Sequence, residues 1–305
     1  MEPLLRIRDL HRTYGDLRAL EALDFELHRS EVLGLLGPNG AGKSTTMRII
    51  SGALAPSAGA VEIDGIDLLR HPIAAKARLG YLPETPPLYP DLTVDEYLDY
   101  AARLRGLRGA ALGRARARAR ERCGLTHSGR RLIANLSKGY KQRVGIAQAI
   151  IHDPKVVILD EPTGGLDPNQ IQEIRTLIRA LGEERGVLLS THILPEVEML
   201  CGRALILHQG RLVHEQPLDA APPGNRLALR LGQPPDPTEL AGIAGVTRVE
   251  AGDGKHLVLH LSDGTDPSGI ADHCVAKGWR LLEMSPVGDR LEQLFSRITL
   301  GESAP

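Results

Sequence analysis

The sequence predicts an α/β fold built on a largely parallel sheet. Extended and helical segments alternate through residues 1–216, as they do where helices cover a parallel sheet. Residues 156–159 (Val-Val-Ile-Leu) form an unbroken apolar run, which is typical of a parallel strand buried on both faces. A glycine-rich loop at 37–45 joins a predicted strand at 31–36 to a predicted helix that begins at Lys43. Strand, loop and helix in this order direct backbone N–H groups at one point.

Length and composition indicate a globular chain of about two domains. The 305 residues are 42% apolar and 25% charged, which is enough for a sizeable core. The 37 basic and 38 acidic residues give a net charge of −1, so no global field attracts nucleic acid or anionic lipid. The three cysteines have no C-x-x-C spacing, and we therefore expect neither a disulfide nor a cysteine metal site.

The sequence also bears on cellular location. No apolar run approaches the roughly 18–20 residues that a membrane-spanning helix needs, and the first residues lack a signal-peptide pattern. We therefore expect a cytoplasmic chain that does not itself insert into a membrane. The helix predicted at 109–122 carries arginine at every second position from Arg114 to Arg120. This spacing distributes charge around a helix, so a solvated helix is favoured over a nucleic-acid surface, and docking to an acidic partner helix stays open.

The loop at 37–45 fits the phosphate-binding pattern G-x-x-x-x-G-K-[ST]. Its residues are Gly37, Pro38, Asn39, Gly40, Ala41, Gly42, Lys43, Ser44 and Thr45. Lys43 is predicted to contact the β- and γ-phosphates, and Ser44 to ligate Mg²⁺. An ordinary glycine-rich turn is the alternative, which the flanking strand and helix make much less favourable.

Three further residues follow the predicted buried strands. Asp160 and Glu161 end the strand at 156–160, and His192 follows the strand at 187–191. In an α/β sheet these ends lie beside the phosphate site. Asp160 can hold Mg²⁺ through water and Glu161 can polarise an attacking water, while His192 lies within reach of a γ-phosphate.

Two other features are candidates for nucleotide contact. Tyr14 is one of few aromatic residues in a chain with 3% Phe, Trp and Tyr. It could stack on a base or serve only in packing. Ser137, Lys138 and Gly139 begin a predicted helix, whose N-terminus is a second site suited to an anion.

The composition changes near Pro217, and 217–225 is predicted to be a linker. Residues 226–305 are predicted to form a small α+β domain with strands at 226–231, 246–251, 256–261 and 279–284 and helices near 237–243, 267–277 and 289–298. The order β-α-β-β-α-β favours a ferredoxin-like arrangement. This part has no glycine-rich loop, and its three histidines do not share a metal-ligand spacing.

Taken in order, these motifs resemble the nucleotide-binding subunit of an ABC transporter over roughly residues 3–216. The resemblance implies a P-loop NTPase of the ABC-ATPase type. Its mostly parallel sheet is joined by a small antiparallel β subdomain and a helical subdomain at about 84–152. It makes 37–45 the Walker A loop, 156–160 Walker B, 135–143 the signature motif and 165–167 the D-loop. It also makes Tyr14 the adenine-stacking residue, Glu161 the catalytic base and His192 the switch histidine.

Two positions depart from the usual family pattern. Glu84 stands where a glutamine that contacts Mg²⁺ or the attacking water is usual, and its carboxylate can also ligate the metal. The signature reads Leu136-Ser-Lys-Gly-Tyr140 in place of Leu-Ser-Gly-Gly-Gln. Both departures, with the tail 291–295, resemble the type-2 exporter branch that includes gliding-motility and nitrous-oxide-cluster ABC proteins.

The resemblance also implies a mechanism. A homodimer, or a pair with a similar ATPase subunit, would hold each ATP with Mg²⁺ between Lys43 and Ser44 of one chain and Ser137 and Gly139 of the other. The dimer would drive separately encoded integral-membrane permease subunits from the cytoplasmic face of the inner membrane. The transported substrate is not indicated. A soluble ABC-type ATPase of translation or DNA repair is the alternative. A GTPase is disfavoured because the chain lacks an Asn-Lys-x-Asp motif, and a scaffold without turnover stays open.

Overall fold

The structure is a computed structural model that describes residues 2–218, 226–251, 256–262, 264–286 and 295. The chain divides into two units, Met1–Leu218 and Asp219–Pro305. The predicted boundaries at 216 and 226 stay a prediction, because residues 219–225 of the predicted linker lie outside the described residues. None of the described helices is long and apolar enough to cross a membrane.

The first unit contains both strands and helices. Its strands are β1 (Leu5–Tyr14), β2 (Leu17–Leu27), β3 (Glu31–Leu36), β4 (Ala58–Ile63), β5 (Ile66–Asp67), β6 (Leu79–Leu82), β7 (Val156–Asp160), β8 (Gly186–Thr191), β9 (Arg203–His208) and β10 (Arg211–Pro217). Its α-helices are α1 (Lys43–Ile50), α2 (Pro72–Lys76), α3 (Val94–Leu104), α4 (Gly109–Arg122), α5 (Lys138–Ile150), α6 (Pro168–Gly182) and α7 (Leu194–Leu200). A short 3-10 helix spans Ile133–Asn135.

A six-stranded sheet forms the centre of this unit, in the order β10-β9-β3-β8-β7-β6. All of its neighbouring pairs are parallel except β9 with β10. Every residue of β7 and β8 is buried, which confirms the prediction from their apolar runs. Because β3, β7 and β8 run in the same direction, their carboxyl ends meet at one edge. There Leu36 is paired with Thr191, and Asp160 with Ser190.

A second sheet, ordered β2-β1-β4-β5, is antiparallel throughout. It is the small antiparallel β subdomain that the family resemblance implies, and it has four strands. Leu5, Ile7 and Leu10 of β1 are buried in the core that both sheets share. β1 extends to Tyr14, so Tyr14 ends a strand and precedes the turn.

The helices after β6 form a cluster in which α3 and α4 pack together. Helix α3 begins with a capping box: the Thr93 hydroxyl accepts a hydrogen bond from Glu96 N, and Glu96 accepts one from Thr93 N at 2.8 Å. Helix α4 is less solvated than expected, because Arg116 pairs with Asp99 at 2.7 Å and Arg120 with Asp95 at 3.0 Å. Its arginines therefore serve partly to join two helices.

The second unit contains β11 (Arg226–Leu231), α8 (Pro237–Ala241), β12 (Val246–Ala251), β13 (His256–Leu261), α9 (Pro267–Ala276) and β14 (Leu281–Pro286). Its antiparallel sheet has the order β12-β13-β11-β14. This is the ferredoxin-like order that β-α-β-β-α-β predicts. The buried face includes Leu229 and Leu259, packed with Leu240 of α8 and Ile270 of α9. The helix predicted at 289–298 lies outside the described residues, apart from residue 295.

Candidate functional site: a nucleotide cleft

The glycine-rich loop joins β3 to α1 at the carboxyl edge of the central sheet. Gly42 precedes α1 with φ +108°, a conformation that L side chains rarely adopt. A Cβ on Gly37 would lie 2.4 Å from the carbonyl oxygen of Leu207. The loop therefore needs glycine at both positions, for backbone conformation at one and for close packing at the other. Helix α1 has no side-chain cap and no acidic residue in its first turn, so its N-terminal N–H groups remain suited to an anion.

Lys43 is buried at the start of α1, and its side chain turns back across the loop. Its Nζ donates hydrogen bonds to the carbonyl oxygens of Gly37 at 2.7 Å and Pro38 at 3.2 Å. Burial lowers the pKa of this ammonium, while the charges of Glu161, Asp160 and Glu84 act in the opposite direction. An anion bound in the loop would further stabilise the charged form.

Asp160 ends β7 as a buried carboxylate. Ser190, its neighbour on β8, donates a hydrogen bond to Oδ1. Burial raises the pKa of Asp160; the Ser190 hydrogen bond opposes this shift, and the charge of Glu84 adds to it. Ser44 also lowers this pKa through its side chain. The other two predicted metal ligands therefore act on the Asp160 carboxylate, Ser44 through its side chain and Glu84 through its charge.

Glu161 follows directly and has a positive φ of 47°, which costs about 1–3 kcal/mol for a residue with a side chain. Its backbone N–H donates to Ser190 O at 3.1 Å. Both of its carboxylate oxygens lie 3.0 Å from His192 Nδ1. Two residues predicted from different strand ends are thus in direct contact.

Helix α5 begins after an N-cap residue. Ser137 is the N-cap, and its hydroxyl accepts a hydrogen bond from Tyr140 N at 3.4 Å. No acidic residue lies in the first turn. A Cβ on Gly139 would lie 2.6 Å from the side chain of Gln170, and one on Gly165 would lie 2.3 Å from Lys138 Nζ. The residues at 137–139 are therefore packed against 165–170 of the same chain.

Most of the predicted site residues line one cleft of about 1450 Å³. Its walls include Tyr14, Asn39, Gly40, Gly42, Lys43, Ser44, Thr45, Glu84, Lys138, Glu161 and His192. Gly37, Pro38, Ala41 and Asp160 do not line it. Ser137 and Gly139 do not line it either.

The comparisons with known proteins agree with this geometry. Residues 20–164 match the family model described as ABC transporter. Over 228 residues the chain is 37% identical to the bacitracin transport ATP-binding protein BcrA of Bacillus licheniformis, covering 74% of each. Over 301 residues it is 34% identical to the uncharacterized ABC transporter ATP-binding protein YdbJ of Bacillus subtilis, covering 98% of this chain and 96% of the relative. The chain belongs to the ATP-binding subunits of the ABC transporters.

A solved structure extends the likeness to the fold. A dimeric bacterial ABC transporter cassette, 27% identical, matches with a TM-score of 0.64 over 71% of this chain and 99% of that one. As an ABC ATPase, the protein binds and hydrolyses ATP to power a transporter. Neither of these two relatives is described as acting in translation or DNA repair. The type-2 exporter branch is not distinguished by these matches.

Several cleft residues of this ABC subunit lie outside the motifs that the sequence suggested. Arg18, Glu21 and Arg211 line the wall beside Tyr14, and Arg211 pairs with Glu21 at 2.6 Å. These charges look like ordinary surface residues in the sequence, and only the approach of β10 to β2 brings them together. Ser190 was also missed, since a serine near a strand end carries no signal until its partner on β7 is known.

Proposed function

We propose that two copies of this chain enclose two ATP molecules in a head-to-tail dimer that drives export through separate membrane subunits. The observation that carries the dimer is the position of Ser137 and Gly139, which do not line the cleft of their own phosphate loop, although Lys138 between them does. If these residues contact ATP, as the family pattern implies, the ATP belongs to another chain. A similar ATPase subunit in place of the second copy would satisfy the same geometry.

The same hypothesis assigns the steps of hydrolysis to residues of this chain. Glu161 accepts a proton from the attacking water, and the contact with His192 holds its carboxylate in position. Lys43 and the N-terminus of α1 stabilise charge that develops on the phosphates. The partner's α5 N-terminus would supply further N–H donors at the γ-phosphate.

The residues also fit Mg²⁺. Ser44, Asp160 and Glu84 provide only oxygen donors, which this cation prefers. The raised pKa of the buried Asp160 carboxylate indicates a charge that a cation would stabilise. Among the described residues no group of three or more His, Cys, Asp or Glu could hold a metal, so phosphate oxygens and water would complete the site. Bound Mg²⁺ would neutralise phosphate charge during hydrolysis.

A cluster of tyrosines offers a route from this site to a membrane partner. Glu84, Pro86 and Leu88 line the cleft, and Tyr89 follows them with 51% of its surface exposed. Its ring lies 5.6 Å from that of Tyr100, which is 42% exposed, and 6.1 Å from that of the buried Tyr97. Exposed aromatic residues are enriched at protein interfaces, so we place the permease contact here and the chain on the cytoplasmic face of the inner membrane.

Co-purification tests the transport role. The tagged full-length chain, expressed with its neighbouring genes and extracted in detergent, is expected to retain a polytopic membrane protein. The double substitution of Tyr89 and Tyr100 by serine should release that protein while ATP binding persists. Retention of ribosomal or DNA-repair proteins in place of a membrane protein would contradict the proposal.

A further inference from the structure

We infer that Arg12 is a positioning residue for the nucleotide base, acting through Tyr14. The guanidinium carbon of Arg12 lies 4.4 Å from the centroid of the Tyr14 ring and over its face. Tyr14 lines the nucleotide cleft and Arg12 does not. In the proposed arrangement the cation covers one face of the ring, and the other face receives a base.

Arg12 is itself held in place by a loop of the first unit. Its Nη1 donates a hydrogen bond to the carbonyl oxygen of Ala55 at 3.0 Å. Ser57 of the same loop accepts a hydrogen bond from Thr13 N at 3.0 Å and donates its own N–H to His11 O at 2.8 Å. This loop follows α1, the helix that begins at the phosphate loop. The segment that carries Tyr14 is thus connected to the element that binds phosphate.

The Nε of Arg12 is buried and has no hydrogen-bond partner among the described residues. No hydrogen bond from Nε therefore competes with the contact between the guanidinium and the Tyr14 ring. Tyr14 is 41% exposed at the end of β1. Without a fixed neighbour, a ring in that position would lose side-chain freedom on binding a base, and a ring already held in place loses less.

The inference rests on the proposed stacking role of Tyr14, and it concerns the purine base and not the phosphates. Removing the cation should therefore weaken only ligands that carry a base. At an exposed site a cation–π contact changes a binding constant by about twofold to fivefold. Stacking of a base on an aromatic side chain is worth roughly tenfold or more.

The test compares ADP with pyrophosphate, both with Mg²⁺, by isothermal titration calorimetry of the full-length chain. Arg12→Gln should weaken ADP about twofold to fivefold and leave pyrophosphate unchanged, and Arg12→Lys should restore part of the ADP affinity. In a Tyr14→Ala background, Arg12→Gln should cause no further loss. Arg8→Gln is the matched control, because Arg8 lies on the same strand and its only described ion pair is with Glu62 at 3.9 Å; it should bind both ligands normally.

The results distinguish the positioning role of Arg12 from the stacking role of Tyr14. Weaker pyrophosphate binding in Arg12→Gln, an unchanged ADP affinity, or an equal loss with and without Tyr14 would overturn the role of Arg12 while leaving the stacking role intact. Normal ADP binding by Tyr14→Ala would overturn the stacking role and the inference with it.

Discussion

The two units of the chain bury different kinds of side chain. Every buried polar or charged side chain that the structure describes lies in the first unit, including Lys43, Asp160 and Ser190. The buried core of the second unit consists of Leu, Ile, Cys and Trp over its described residues. Burying a polar group costs free energy unless it is paired. The first unit carries part of that cost at its nucleotide cleft and part elsewhere, as at the buried Arg185, whereas the second has no comparable site among its described residues.

The largest expected effect is at Glu161, the proposed catalytic base. Glu161→Gln should slow phosphate release by about a hundredfold or more, because general base catalysis contributes that much, while ATP still binds. Glu183→Gln, a change of the same charge at an exposed position after α6, should leave the rate normal. Near-normal turnover in Glu161→Gln, measured by phosphate release from the purified chain, would show that another group accepts the proton.

The next largest effect on phosphate release is expected from Ser190, which donates a hydrogen bond to Asp160. Ser190→Ala removes one donor from the buried Asp160 carboxylate, which the Ser44 side chain also contacts, and losing a hydrogen bond to a buried charged group costs about 1–3 kcal/mol. We expect roughly tenfold slower phosphate release, since about 1.4 kcal/mol corresponds to a factor of ten. Ser30→Ala is the control, because that hydroxyl donates to Glu183 O at 2.9 Å and does not line the cleft. Equal effects of the two changes would mean that Ser190 acts only in folding.

Replacing Glu84 should change the pH dependence of phosphate release. Burial and the neighbouring Glu84 both raise the pKa of Asp160, so the ionised form that would bind Mg²⁺ is lost as pH falls through that raised value. Glu84→Gln removes the neighbouring charge and lowers this pKa. The acid limb of Mg²⁺-dependent phosphate release should therefore move to lower pH. An acid limb that stays in place, or moves to higher pH, would argue against a charge interaction between Asp160 and Glu84.

The smallest expected effect comes from removing the second unit. Strand β10 ends at Pro217, and Leu218 N donates to Gly202 O at 2.7 Å, so a chain that ends at Leu218 keeps the first unit whole. Its phosphate release should stay within about twofold of the full chain, since a unit with its own core can fold alone. A tenfold change in a folded truncated chain would show that the second unit regulates the cleft.

The sequence could predict the strand ends at the cleft because parallel strands present them at one edge of the sheet. That argument placed Asp160, Glu161 and His192 together without knowledge of the coordinates. It could not place Ser190, whose role depends on its pairing with Asp160 across two strands. Helix α2, with only five residues, is too short for periodicity to identify.

The sequence could not predict the contacts between helices either. The pairing of Arg116 with Asp99 depends on how α3 and α4 pack, which spacing along α4 cannot show. In the second unit the alternation of strands and helices sufficed for the strand order. There the connections are short and the core is apolar, so pattern and topology agree.

The central claim is that the nucleotide cleft is half of a site, and the mass of the chain in solution tests it most directly. Light scattering of Glu161→Gln with saturating MgATP should give twice the 33.0 kDa of one chain, and Ser137→Arg in the same background should return it to the single-chain value. MgADP should leave both variants at that value. A Glu161→Gln chain that binds ATP and still has the mass of one chain would contradict the account.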